Sequence, residues 1–144
     1  MRDSGIFITV LDDALTNGTM VRFRAEGGSM YPTIRDGESI TVAPVAAADV
    51  VRGDVLLCRH GTRVLAHRVV GVTTRGAERV FELRGDAKLG PDAPVAAAAV
   101  VGKVVGVRRN GRVVAISGRA ARLRYSARKA ASRVRSLLAS GFHE

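Results

Sequence analysis

Asn110-Gly111 sits between two valine-rich runs, residues 100–108 and 112–116. An Asn-Gly pair between alternating apolar runs is the strongest short-range hairpin signal, because its tight turn needs a positive φ at both central residues. The same logic repeats along the chain. Residues 54–59 and 63–72 flank His60-Gly61-Thr62 and predict a second hairpin. Residues 19–25, 39–42 and 80–84 alternate as further strands, and residues 45–51 and 85–94 read as loops. Many short strands divided by turn signals predict a compact, mainly β domain: a coiled antiparallel sheet or partly open barrel.

Two segments break this pattern. Ile6, Phe7, Val10, Leu11, Ala14 and Leu15 recur at helical spacing, with Asp3 or Ser4 placed to cap the start and Asn17-Gly18 the end. At the other end, Leu123, Ala127, Ala130, Val134, Leu137 and Leu138 mark one face of a basic amphipathic helix. The expected organisation is an N-terminal helix over residues 1–18, a β domain over 19–117 and a basic helix over 118–144.

A chain of 144 residues with 47% hydrophobic residues is long and apolar enough for one packed domain. Its single cysteine, Cys58, excludes an internal disulfide and any multi-cysteine zinc site. Cys58 lies in an apolar run and reads as a buried, inert thiol. No cofactor and no metal is called for. No apolar stretch approaches the ~20 residues that span a bilayer, and the N-terminus lacks the plan of a secretory signal. The expected location is cytoplasmic or peripheral to a membrane.

The net charge of +10 is uneven: residues 1–118 hold 16 basic against 12 acidic residues, while residues 119–144 hold seven basic residues and only Glu144. The basic helix therefore carries most of the excess. It could pack on its own domain, lie on an anionic membrane surface or meet an acidic partner. Nucleic acid is the weakest of the options, since Tyr31 and Tyr125 are isolated and no nucleic-acid motif is present.

The chemistry concentrates between residues 27 and 92. Ser29 follows Gly27-Gly28 and precedes Pro32, so it sits on a bend that can expose its hydroxyl to a cleft. A hydroxyl is a weak nucleophile and needs a base. His67 lies in an alternating strand with Leu65 and Val69 on its face. An imidazole can take a hydroxyl proton near neutral pH and return it to a leaving amine. A carboxylate that fixes the ring completes such a relay, and Asp86 and Asp92 stand in the polar loop that follows. Asp36 and Asp54 adjoin glycines and read as turn formers; His60 and His143 read as solvated.

Three ordered boxes strengthen this reading: Gly28-Ser29-Met30-Tyr31-Pro32-Thr33-Ile34, then Arg52-Gly53-Asp54-Val55 through Leu65-Ala66-His67-Arg68-Val69-Val70, then Leu83-Arg84-Gly85-Asp86 with Pro91-Asp92. Together they resemble the type I signal-peptidase superfamily, in the branch typified by the endoplasmic reticulum and archaeal enzymes, where histidine replaces the usual lysine base. The resemblance covers roughly residues 24–107. It implies the signal-peptidase type of β fold and a serine endopeptidase acting on a peptide or preprotein, with Ser29 as nucleophile and His67 as general base. It further implies Asp92 as the carboxylate of the relay, Asp86 in support, and Gly28, Met30 and Pro32 around the oxyanion and substrate positions. Small residues before the scissile bond are the implied preference, with Met30 lining a small pocket.

The chain departs from the pattern at Gly27, where many members place a serine hydroxyl near the oxyanion, and at Ala87-Lys88, where an asparagine is usual. The backbone N–H of Ser29 and a neighbouring amide then remain for the oxyanion. The same departures motivate a second reading, a catalytically silent peptide- or partner-binding module on the same fold.

Overall fold

The structure, a computed structural model, describes residues 4–116 and 135–136. It is mainly β. Strands β1 (Val21–Arg24), β2 (Ser39–Ala43), β3 (Val55–His60), β4 (Arg63–Arg75), β5 (Glu78–Arg84), β6 (Val95–Ala96), β7 (Val100–Arg109) and β8 (Arg112–Ala115) form one antiparallel sheet that does not close into a barrel. One helix, α1 (Ser4–Thr16), precedes it.

The turns arise where the residues demand them. Asn110 and Gly111 both take positive φ, 53° and 75°, and join β7 to β8. Gly61, with φ 63°, closes the β3–β4 hairpin. Gly18, with φ 79°, follows the last turn of α1. Strand β4 runs beyond the expected residue 72 to Arg75, because Thr73, Thr74 and Arg75 pair with Val80, Arg79 and Glu78 across a turn at Gly76.

Apolar groups of the sheet gather in two clusters. Phe7, Leu11, Ala14 and Leu15 of α1 pack with Val21, Phe23, Ile40, Val42, Val104 and Val107 in the larger core. Phe7 meets Phe23 edge to face, with centroids 5.3 Å apart. Val50, Leu56, Cys58, Val69, Phe81 and Leu83 form a second cluster. Bulges between Thr41 and Val42, Leu57 and Cys58, and Val69 and Gly71 shift the ladder and sharpen the local bend.

The helix expected over residues 118–144 lies outside the described residues, save for Arg135–Ser136. That pair forms a short strand, β9, parallel to β1. At those two positions the chain is extended rather than helical: the edge of β1 supplies backbone partners, and serine gains little from a helix interior.

Candidate active site

Strand β1 leads through Ala25 and Glu26 into the glycine bend, where Gly27 takes φ 97° and its N–H donates to Asp36 Oδ1 at 2.8 Å. Asp36 thus acts as the turn former its position suggests. Gly28 is exposed and Ser29 half-buried. Tyr31 N–H donates to the Gly28 carbonyl at 3.1 Å, and Ile34 N–H to the Met30 carbonyl at 2.9 Å, so the bend winds into a tight turn. The Tyr31–Pro32 peptide is cis, and Pro32 is exposed. Met30 is fully buried in the larger core, and its sulfur accepts the Asp86 N–H at 3.4 Å. It therefore supports the bend from beneath and does not line a pocket open to solvent.

His67, the candidate base, comes from β4. Alternation along that strand sends Val64 and Ala66 into the larger core and His67 to the opposite face, where Val69 joins the second cluster. His67 is 2% exposed. Ser29 Oγ lies 2.9 Å from His67 Nε2. On the other side of the ring, Nδ1 meets Asp92 Oδ2. A carboxylate only accepts, so Nδ1 carries the proton and Nε2 of the neutral ring is left to accept from the serine hydroxyl. Three side chains from separate segments thus form one continuous hydrogen-bonded chain.

The loop after β5 holds the third member. Asp92 N–H donates to the Leu83 carbonyl at 2.7 Å, folding residues 84–91 back on the strand end. Lys88 Nζ approaches Asp92 Oδ1 at 3.4 Å. Ala87 N–H donates to the Ser29 carbonyl at 2.8 Å, which ties this loop to the serine bend.

Asp86 does not touch His67. It receives Arg68 in a fork, Nε to Oδ1 and Nη2 to Oδ2, both at 2.8 Å, and accepts the Thr33 hydroxyl at 2.5 Å. Arg68 also donates to the Gly53 carbonyl at 2.8 Å. Burial works to raise the Asp86 carboxyl, but the hydrogen bonds from Arg68 and Thr33 outweigh it and leave the group below the usual carboxylate range. The same pairing raises Arg68. Arg68 neighbours His67 on β4, and Thr33 lies on the turn after Ser29, so this cluster locks base strand, serine turn and acid loop together. Arg109 braces the turn further, donating twice to Glu38 at 2.8 Å and once to the Thr33 carbonyl at 3.3 Å.

Arg68, Thr33 and Gly85 are the residues that motif reading left without a role. The only signal for them was their position within the boxes. Asp54, read as a turn former, does accept the Val51 N–H at 2.9 Å. It is also fully buried, with Lys103 Nζ 3.2 Å from its Oδ1, close enough for an ion pair though not aligned as a hydrogen bond.

A cleft of ≈ 220 Å³ opens beside His67 and Asp92. Cys58, Leu65, Leu83 and Val95 give it an apolar lining, while Arg59, His60 and Lys88 give it a basic one. His60, at the exposed end of the β3–β4 hairpin, therefore borders this cleft instead of standing apart from the site. The Cys58 thiol is pushed up to about 12 by burial. It contributes shape and not reactivity.

Such an arrangement can move a proton from a hydroxyl to an imidazole whose other nitrogen is held by a carboxylate, which is what acyl transfer to serine needs. No helix among the described residues is long and apolar enough to cross a membrane. No family model matches the chain, and no curated protein matches it at a significant level.

Proposed function

We propose that this protein is a serine endopeptidase resembling the histidine branch of the signal-peptidase superfamily. The observation that carries the reading is the hydrogen-bonded chain Ser29–His67–Asp92, whose members lie 38 and 25 residues apart in sequence. Such a chain does not arise from local turn chemistry; the sheet must bring it together.

In the proposed reaction, Ser29 Oγ attacks a peptide carbonyl carbon while His67 Nε2 takes the hydroxyl proton. Asp92 stabilises the resulting imidazolium and keeps the ring oriented. His67 then hands its proton to the leaving amine as the C–N bond breaks, and an acyl ester remains on Ser29. A water, deprotonated by His67, hydrolyses the ester and restores the serine. Positioned proton transfer of this kind is worth about 10²–10⁴-fold in rate. The Arg68–Asp86–Thr33 cluster holds the reacting groups in place and does not itself react.

The substrate is an extended peptide, since an edge strand beside a cleft recognises backbone by adding a strand. Following the resemblance, small residues before the scissile bond are the first choice. The test is hydrolysis of a peptide with an Ala-x-Ala site by wild type, Ser29→Ala and His67→Ala. Cleavage by wild type alone supports the reading. Equal cleavage by all three refutes the mechanism. No cleavage by any form, with the peptide still bound, favours the silent binding module that Gly27 and Ala87-Lys88 motivate.

A further inference from the structure

The cleft beside His67 and Asp92 has room for a side chain. Its ≈ 220 Å³ exceeds the ~150 Å³ in which an apolar protein cavity holds benzene. Strand register builds its floor. Leu65 stands two residues before His67 on the same face of β4, and Cys58 is its cross-strand partner on β3. Leu83 of β5 and Val95 of β6 extend this apolar surface.

The charged groups around the floor differ in what they are free to do. Arg59 holds the wall: Nη1 donates to the Ala98 carbonyl at 3.1 Å, and Nη2 pairs with Asp12 of α1. Asp92, the one carboxylate in the lining among the described residues, is engaged by His67 and Lys88. Lys88 is less committed. Its side chain is 47% exposed, and its ammonium meets Asp92 Oδ1 at 3.4 Å, a contact that leaves N–H donors over. His60 is exposed at the hairpin end, opposite Arg63 in the β3–β4 register. The cleft thus combines an apolar floor with a mouth rich in cationic and N–H donor groups. A lysine of the ligand would meet Lys88 as a like charge, and a purely apolar side chain would leave the donors without a partner.

We infer that this cleft is a specificity subsite for a glutamate of the peptide, its methylenes on the floor and its carboxylate at Lys88 and His60. The floor favours glutamate over aspartate, since one more buried methylene is worth at most about fourfold. Lys88 belongs to the Ala87-Lys88 pair that stands in place of the usual asparagine. The departure from the pattern therefore supplies the charge that selects. The role as a subsite for cleavage rests on the peptidase reading; the binding of an acidic side chain does not.

The test uses the full chain and Ala-x-Ala peptides with Glu, Gln, Leu or Lys placed in turn at each position flanking the scissile bond. At one position, kcat/KM for Glu should exceed that for Gln by about 2- to 5-fold, the ordinary worth of a half-exposed ion pair. Lys should be the poorest residue there, and added salt should compress the ratios. Lys88→Glu should invert the order, with Lys above Glu. The ratio is taken within one variant, so damage to the neighbouring Asp92 cancels. His60→Asp, at the exposed hairpin end, should lower the Glu:Gln ratio at the same position. Glu no better than Gln at every position, Leu the best residue at every position, or a Glu preference that persists in Lys88→Glu overturns the inference. Fluorescence anisotropy with the same peptides on Ser29→Ala reads binding without cleavage. A Glu preference in binding, in a protein whose wild type cleaves none of the peptides, overturns the peptidase reading and leaves the acid-selective cleft intact.

Discussion

Gly85 faces Ser29 and His67 so closely that a Cβ on it would sit 2.6 Å from the Ser29 carbonyl oxygen and 3.3 Å from His67 Nε2. The loop carrying the acid, the bend carrying the serine and the strand carrying the base all converge on this hydrogen-only position. Gly85→Ala is expected to push the bend away from the ring. Misplacement by about 1 Å costs roughly 10²-fold in rate, so kcat/KM in the peptide assay should fall by about that factor. Circular dichroism should show the sheet retained.

Asp92→Asn keeps the size of the residue but replaces a pure acceptor by an amide that can also donate. The His67 ring then loses the partner that fixes its proton on Nδ1. We expect kcat to fall by about 10³–10⁴-fold with KM little changed. Steady-state kinetics with a single peptide checks the split.

Asp86 acts on stability more than on chemistry. Its folded carboxyl lies below the ordinary range. Its contribution is therefore fully present above the unfolded value of about 4 and is lost as pH falls through the lower folded value. Asp86→Asn should lower the unfolding free energy by about 1–3 kcal/mol at neutral pH. It should also flatten the loss of stability below about pH 4. Urea denaturation across that window reads both. Arg68→Lys tests the fork, since an ammonium cannot reproduce two parallel N–H···O bonds. It should recover only part of what Arg68→Ala loses.

Hairpins were legible because their turns depend on local chemistry: Asn110-Gly111 and Gly61 take the positive φ that their sequence context demands. Ser29 and His67 were legible through the boxes that surround them, and Asp92 through its place after the Gly-Asp pair. Arg68 was not. On β4 it alternates like any outward residue, and its meaning appears only when β4 pairs with the end of β5 and brings Asp86 beside it. Met30 misled for a related reason: a thioether next to the serine reads as pocket lining, yet the tight turn from Gly28 to Ile34 drives it into the core. Residues 135 and 136 fall within the stretch read as a basic helix, and the edge of β1 takes their backbone instead. For Arg68 and for residues 135 and 136 the missing term is a long-range contact, which no local pattern encodes.

Cys58 should resist alkylation. The thiol is 3% exposed, and burial pushes it up to about 12. Iodoacetamide at pH 8 is expected to leave the folded protein unmodified and to label it once in denaturant. Mass spectrometry of the intact chain distinguishes the two.

The proposed relay depends on a serine hydroxyl made nucleophilic by the histidine 2.9 Å away. Its most direct test is incubation of the folded chain with a fluorophosphonate, a reagent that captures activated serines, followed by peptide mapping. One adduct is expected, on Ser29, and it should be lost in His67→Ala. An adduct that forms equally well without His67, or a Ser29 that never reacts in a chain that binds peptide, would contradict it.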